Sequence, residues 1–154
     1  MKNKKKIRVL ITGANGFIGR NVVEELKKDY DLSCLVRDKK YFDESCRMFY
    51  FKKYHDIIVE EAVSKSDIII HLAASIHGSK KEMFESNVEF TKKLVDLSRK
   101  HKIKHFIYIS TENVNKKNSD TYTVTKPLAE KEVKAVKNST ILRPTIVYGA
   151  KDKK

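Results

Sequence analysis

The chain has little glycine, little cysteine and no long apolar run, and the last two shortages each exclude a class of protein. Its 154 residues include two cysteines, Cys34 and Cys46, which are too few for a disulfide framework and form no metal-ligand spacing with the five histidines. No apolar stretch approaches the length of a membrane span, and polar residues interrupt the stretch after the basic N-terminus, which excludes a signal-peptide pattern there. We therefore expect a reduced, cytoplasmic chain with no metal site and no membrane partner.

Acidic residues are also scarce relative to basic ones. The chain carries 33 Lys and Arg against 20 Asp and Glu, for a net charge of +13. Such a balance raises nucleic acid as a possible partner. However, the basic residues are mostly lysines in scattered doublets, and aromatic residues do not interleave with them, a pattern typical of a solvated surface. We expect no specific nucleic-acid partner, and the length predicts one domain with a substantial core.

The few glycines are concentrated in one place. Three of the five, Gly13, Gly16 and Gly19, follow the apolar run at 7–11 at a spacing of three, and apolar residues recur at helical spacing over 18–26. In a strand-turn-helix unit, Gly13 allows the tight turn, Gly16 lets the backbone approach a phosphate, and Gly19 lets the helix pack on its strand. Because a helix N-terminus attracts anions, the pattern predicts a dinucleotide site. The alternative is a plain strand-to-helix turn.

The segment TGxxGxxG at 12–19 resembles the glycine motif of the short-chain dehydrogenase/reductase superfamily, in the spacing of its extended branch of NAD(P)-dependent epimerases, dehydratases and reductases. Three later segments are similar to the same branch: the Asp-apolar-His-Ala-Ala run at 67–74, the strand at 106–111 that ends in Ser-Thr, and RPxxVYG at 143–149. The resemblance implies an α/β fold with a Rossmann-like, doubly wound parallel sheet and helices on both faces. We expect this NAD(P)-binding domain over 1–149 and a short basic tail over 150–154.

The resemblance also implies which residues contact the dinucleotide. The predicted contacts are Gly13, Asn15, Gly16, Phe17, Ile18 and Gly19 in the turn, Asp56 and Ile57 at the adenine, Leu72, Ala73 and Ala74 after the fourth strand, Tyr122, Lys126, and Pro144 and Ile146 beside the nicotinamide. Asp56 and Ile57 have a second interpretation, as a helix cap and a core residue, because a helical stretch begins there.

Arg37 decides the expected cofactor. Counting from Gly19 places Arg37, at the end of the second strand, in the position that contacts the adenosine ribose. A guanidinium suits a 2′-phosphate, and Lys39 and Lys40 add positive potential, so NADP is the predicted cofactor and NAD the alternative. The other interpretation is a strand-end arginine in solvent.

Thr111, Tyr122 and Lys126 are the predicted catalytic residues. A YxxxK match is expected by chance in so lysine-rich a chain, but this one follows the strand that ends at Thr111, and its two residues share a helix face. The resemblance implies that Tyr122 exchanges a proton with a substrate hydroxyl or carbonyl, that Lys126 holds the nicotinamide ribose, and that Thr111 hydrogen-bonds the reacting oxygen. The lysine is expected to lower the phenol pKa from about 10 by up to roughly three units.

Three departures from the family pattern shape the expected function. Only ten residues separate Thr111 from Tyr122, which is similar to reductase-like members, and Asn113 stands where dehydratases have a second carboxylate beside Glu112. Five residues follow RPxxVYG, where relatives continue into a substrate-binding region. We expect an epimerase- or reductase-type oxidoreductase acting on a sugar nucleotide or a related hydroxyl or carbonyl substrate. The alternative is a truncated NAD(P)-binding module without turnover.

The predicted helix at 82–101 suggests a possible homodimer. It resembles the family's NVxGT segment, with Phe90 in place of the glycine. It carries two apolar stripes, one of Phe84, Val88 and Val95 and one of Phe90, Leu94 and Leu97. Since a surface helix needs one stripe, the second predicts that the chain pairs with another subunit through the outer faces of this helix and of the predicted helix at 122–137. The alternative is sparse exposed apolar surface.

Overall fold

Six parallel strands form one sheet in the computed structural model, which describes residues 6–115 and 120–149. The strands are β1 (Arg8–Thr12), β2 (Asp31–Val36), β3 (Cys46–Tyr50), β4 (Ile68–His71), β5 (His105–Ile109) and β6 (Ser139–Leu142). Their order is β3-β2-β1-β4-β5-β6, so β2 and β3 are added on one side of β1, and β4 to β6 are added on the other. The prediction of a Rossmann-like parallel sheet is confirmed. A ligand crevice is expected beyond the carboxyl ends of β1 and β4, where the two sides meet.

Helices cover both faces of the sheet. They are α1 (Phe17–Leu26), α2 (Ile57–Ser64), α3 (Lys80–Phe84), α4 (Phe90–Lys100) and α5 (Thr121–Val133), with a π-helical turn at Glu85–Glu89 and a 3₁₀ turn at Glu112–Asn115. One core cluster joins α1 to β1 and β2, and a second joins α2, α4 and α5 to the opposite face. The central strands are apolar on both sides because both of their faces are covered.

Helix α4 is buried over a wider arc than the sequence pattern predicts. Phe90, Leu94 and Leu97 are 1%, 0% and 4% exposed and belong to the core. Val88 and Val95, from the other stripe, are buried as well. The reason is that α4 lies over the sheet between α2 and α5, so the whole Phe90 row is covered by protein, while Phe84 of the other stripe, in α3, is 40% exposed. The prediction of a subunit-pairing surface along the Phe90 row is therefore wrong.

Both cysteines, Cys34 and Cys46, are free and buried. Within 6–115 and 120–149, no helix has the length and apolar character needed to cross a bilayer. In the same part of the chain, no group of three or more His, Cys, Asp or Glu side chains is placed to hold a metal ion.

Candidate dinucleotide-binding site

The glycine turn has the geometry that the spacing predicts. Gly13 has φ +70°, and a Cβ there would lie 2.7 Å from the Ala73 nitrogen. A Cβ on Gly19 would lie 2.2 Å from the Gly13 carbonyl oxygen, so only glycine lets α1 approach the turn this closely. Gly16 donates its N–H to the Gly13 oxygen at 3.0 Å and is itself exposed. The turn leaves the first N–H groups of α1 without intrahelical acceptors and accessible to an anion.

A first cleft of ≈ 180 Å³ opens beside this turn. Its lining residues are Gly13, Asn15, Gly16, Leu35, Val36, Arg37, Phe51, Tyr54, Leu72, Ala73, Ala74, Ser86 and Phe90. Arg37 is the charged member of this described lining. The cleft therefore brings together predicted contacts from the glycine turn, from 72–74 after β4 and from the ribose position, Arg37, which is positively charged.

An aromatic group at the far end of the first cleft has no counterpart in our sequence predictions. The Phe90 ring centroid lies 5.3 Å from that of Phe51 and 4.7 Å from that of Tyr54. Arg37 Nη1 donates to the Tyr54 hydroxyl at 3.1 Å, and its guanidinium lies 5.7 Å from the ring centroid. The run of aromatic residues around β3 was the available signal. These contacts hold the Arg37 side chain at the same end of the cleft as Tyr54.

Asp56 and Ile57, the predicted adenine contacts, lie outside both clefts described here. Asp56 stands at the N-cap position of α2, and its Oδ2 accepts the N–H groups of Lys52 and Lys53 at 2.8 Å each. These bonds lower the pKa of Asp56. Ile57 is 85% exposed, so the interpretation of Ile57 as a core residue is wrong, whereas contact of Asp56 and Ile57 with an adenine stays a prediction. Through these two hydrogen bonds Asp56 holds the loop after β3.

A second cleft of ≈ 250 Å³ contains the predicted catalytic residues. Its lining residues are Ile18, Leu72, Ala74, Ile109, Ser110, Thr111, Tyr122, Lys126, Pro144, Thr145 and Val147. Leu72 and Ala74 line both clefts, so the two meet beyond the end of β4. Of the predicted contacts, Phe17, Gly19 and the 85%-exposed Ile146 line neither cleft, while Thr145 and Val147 are additions.

Lys126 is buried and engaged away from the phenol of Tyr122. Its Nζ donates to the Ile109 carbonyl oxygen at 2.7 Å and lies 4.3 Å from the Tyr108 ring centroid. Burial lowers the pKa of Lys126 to about 7. The same Nζ is 5.9 Å from the Tyr122 ring centroid.

The pKa of Tyr122 is raised, first by burial and then by the negative charge of Asp120. Our prediction that Lys126 lowers this pKa is therefore wrong for the chain without ligands. The physical reason is that Lys126 sits in a carbonyl-and-aromatic site, where burial reduces its own charge near neutral pH.

A buried histidine joins the glycine turn to the helix layer. His71 Nδ1 lies 2.6 Å from Thr12 Oγ1, and its Nε2 lies 2.9 Å from Thr91 Oγ1. Thr12 Oγ1 also accepts the Ala73 N–H at 3.3 Å. Burial lowers the pKa of His71 to about 3, so the imidazole is neutral at physiological pH. This network fixes the loop that separates the two clefts.

The π-helical segment at Glu85–Glu89 buries two polar side chains, Ser86 and Asn87. Ser86 lines the first cleft, and Asn87 accepts the Ser75 N–H at 2.7 Å while its amide donates to Ser75 O at 2.9 Å and Thr125 Oγ1 at 3.0 Å. Asn87 thus ties the loop after β4 to α5. π-helical turns of this kind are frequent at functional sites.

An ion pair positions the segment after β6. Arg143 donates to both carboxylate oxygens of Glu130, at 2.9 and 2.6 Å, and Glu130 is 2% exposed. The guanidinium lowers the pKa of Glu130. Because Arg143 precedes Pro144, the pair holds one wall of the second cleft against α5.

Comparison with known families agrees with this geometry. The model of the NAD dependent epimerase/dehydratase family matches residues 9–154. The chain belongs to this family. The sterol-4-alpha-carboxylate 3-dehydrogenase (decarboxylating) of Candida albicans is 29% identical, over 94% of this chain and 52% of the relative. The UDP-glucose 4-epimerase of Vibrio cholerae is 28% identical, over 92% of this chain and 52% of the relative.

Two solved structures have the same fold as this chain. The UDP-glucuronic acid 4-epimerase of Bacillus cereus, in complex with NAD, superposes with a TM-score of 0.80 at 22% identity, over 93% of this chain and 58% of that one. The Bordetella bronchiseptica enzyme WbmG, in complex with NAD, gives a TM-score of 0.79 at 15% identity, over 93% and 54%. The chain spans about half the length of these relatives.

Proposed function

We propose that the chain binds NAD(P) across the two clefts and acts as an epimerase- or reductase-type oxidoreductase on a sugar nucleotide or a related hydroxyl or carbonyl substrate. One observation carries this proposal. The glycine turn and the cleft of Thr111, Tyr122 and Lys126 meet at Leu72 and Ala74, beyond the carboxyl ends of parallel strands. The names of the relatives, an epimerase and a dehydrogenase, support the same reaction class.

The residues present fit a dinucleotide. The exposed Gly16 leaves the N-terminus of α1 open, and the charged member of each described cleft lining, Arg37 or Lys126, is a base rather than an acid. An anionic pyrophosphate is stabilised by such surroundings. The aromatic rings of Phe51 and Tyr54 suit an adenine at the other end. The cofactor supplies the hydride chemistry, which no side chain in these clefts provides.

Tyr122 is the proposed proton donor and acceptor. Its raised pKa keeps the phenol protonated at neutral pH, which suits transfer of the hydroxyl proton to a substrate carbonyl oxygen. Thr111, in the same cleft, hydrogen-bonds that oxygen. Lys126, held by the Ile109 carbonyl, is placed to hold the ribose with its remaining N–H groups.

NADP is the proposed cofactor and NAD the alternative, although the two solved relatives described above hold NAD. Arg37 supports this choice. It lines the first cleft beside Tyr54, and its described side-chain hydrogen bond goes to the Tyr54 hydroxyl rather than to a carboxylate. Its charge therefore remains available to a phosphate.

The remaining parts of the proposal concern location and partners. We propose a cytoplasmic location, because the free thiols of Cys34 and Cys46 suit a reducing compartment. The proposed partners are the cofactor and a small-molecule substrate. Nucleic acid is not among them, since the lysines occur along the sequence as scattered doublets without interleaved aromatic residues.

The test combines binding and turnover. NADP⁺ and NAD⁺ are titrated by calorimetry, and cofactor oxidation and epimerisation are assayed on a panel of nucleotide sugars and simple carbonyls. We expect saturable cofactor binding, and turnover that Tyr122→Phe reduces by at least about a hundredfold. Tyr30→Phe, in the loop between α1 and β2 and outside both clefts, is the matched control.

Absence of cofactor binding contradicts the proposal as a whole. Binding without turnover on any substrate favours the alternative, a cofactor-binding module. Turnover that survives in Tyr122→Phe contradicts the role given to the phenol.

A further inference from the structure

A basic groove of ≈ 1180 Å³ continues from the first cleft, and Arg37 and Tyr54 line both. Its remaining lining residues are Lys52, Lys53, His55, Lys80, Lys81, Glu82, Phe84, Glu85, Glu89 and Lys93. One wall is the end of β2 with the loop at 52–55, and the other is the segment 80–93. The groove therefore begins where the first cleft ends.

The two walls differ in charge. The first wall carries Arg37, Lys52 and Lys53 with His55, and no carboxylate from this wall lines the groove. On the second wall three lysines face three glutamates: Lys80, Lys81 and Lys93 against Glu82, Glu85 and Glu89. An anion in the groove is therefore attracted to the first wall.

The positive charge of the first wall is not neutralised by ion pairs. Throughout 6–115 and 120–149, none of the ion pairs within 4 Å involves Arg37, Lys52 or Lys53. The carboxylate of Asp56, which lies under the loop, accepts the backbone N–H groups of Lys52 and Lys53. Its described hydrogen bonds therefore go to the main chain of the loop, and its charge also interacts with those of His55 and Lys53.

The loop that carries the two lysines is held in place. Besides accepting the two N–H groups, Asp56 donates its own N–H to Lys53 O at 3.0 Å. The Phe51 N–H bonds to Val36 O at 3.2 Å, which ties the start of the loop to the residue before Arg37. A binding site whose backbone is already ordered loses less entropy when it takes up its ligand.

Lys39 and Lys40, which the sequence suggested as helpers of Arg37, line neither the first cleft nor the groove. They lie in the turn after Asp38, whose carboxylate accepts the Lys40 N–H at 2.9 Å. We infer that Lys52 and Lys53, together with Arg37, form the site for the 2′-phosphate of NADP. The inference rests on the proposed function, because it needs the adenosine in the first cleft with its ribose at Arg37.

The chain offers two matched pairs of lysines for a test. Lys52→Ala/Lys53→Ala and Lys39→Ala/Lys40→Ala remove the same charge from exposed positions close to Arg37. NADP⁺ and NAD⁺ are titrated by calorimetry into the wild-type chain and both double variants, and thermal melts confirm that each is folded. The ratio of the two affinities isolates the 2′-phosphate.

We expect the wild-type chain to bind NADP⁺ more tightly than NAD⁺. Lys52→Ala/Lys53→Ala should weaken NADP⁺ binding at least about tenfold and change NAD⁺ binding less than about twofold. Lys39→Ala/Lys40→Ala should change both less than about twofold. Equal losses in the two double variants, or an unchanged ratio in Lys52→Ala/Lys53→Ala, overturn the inference while cofactor binding stands. If the wild-type chain binds neither dinucleotide, the proposed function fails together with the inference.

Discussion

Gly19→Ala tests whether α1 can move away from the glycine turn. The added Cβ would lie 2.2 Å from the Gly13 oxygen and 2.7 Å from the Ala14 Cα, both main-chain atoms that cannot rotate aside. Because ordinary contacts between such atoms are about 3.5 Å, the helix start must shift by roughly 1 Å. Val23, which α1 buries against the sheet, would shift with it.

The expected destabilisation follows from this displacement. Overpacking of a close-packed region typically costs about 1–3 kcal/mol, and a clash between two main-chain segments belongs at the upper end. For a chain of about 150 residues, 3 kcal/mol corresponds to a fall in Tm of roughly 6–12 °C. Differential scanning calorimetry of the wild-type and Gly19→Ala proteins measures this difference in Tm directly.

Gly16→Ala is the matched control within the same motif. Gly16 has φ −76° and ψ 171°, which alanine adopts readily, and its added Cβ would lie 3.3 Å from the nearest atom, the Gly13 oxygen. We expect a Tm within about 3 °C of wild type but at least about tenfold weaker NADP⁺ binding, since the methyl group occupies the path of a phosphate. A Gly19→Ala protein whose Tm stays within 2 °C of wild type would refute this reasoning about packing.

Three further outcomes are expected. Leu94→Glu should lower the unfolding free energy by more than about 4 kcal/mol, because it places a carboxylate at a fully buried position. Leu128→Glu, at a 41%-exposed position, should change the unfolding free energy by about 0.5 kcal/mol or less. Similar denaturation midpoints for the two variants would contradict the burial of α4. Lys126→Met should stabilise the chain more at pH 6 than at pH 9, because the folded-state pKa of Lys126, lowered to about 7, makes the buried ammonium most unfavourable below pH 7 and progressively less so above it. In urea denaturation the gain in unfolding free energy should shrink by roughly 2–3 kcal/mol between pH 6 and pH 9, and a gain that stays constant would contradict this. Arg37→Asp should reverse the preference for NADP⁺ over NAD⁺ in calorimetric titrations, because it puts a repulsive charge where the 2′-phosphate is proposed to lie; equal affinities in both proteins would count against the cofactor assignment.

The features predicted correctly from sequence are those that local geometry encodes. A glycine at position 13 with φ +70° and a glycine at 19 in contact with the turn are requirements of a single strand-turn-helix unit, so their spacing is visible within eight residues. The apolar runs of β1 and β4 likewise follow from burial of both faces of a parallel sheet. Together they were sufficient to predict the fold class and the end of the sheet at which the clefts lie.

Other features depended on neighbours that are distant in sequence. The Phe90 row of α4 is core rather than surface because α2 and α5 flank it, and a single helix pattern does not reveal how many neighbours the helix has. Asp56 holds the loop after β3 because two backbone N–H groups of that loop donate to its carboxylate. Lys52 and Lys53 line the groove because the same loop lies beside Arg37. The charge of Lys126 depends on burial, which exists only once α5 packs against β5. Spacing along the chain determines which side chains a helix or strand presents together, but the solvation, pairing and pKa of those side chains are set by contacts that only the packed structure creates.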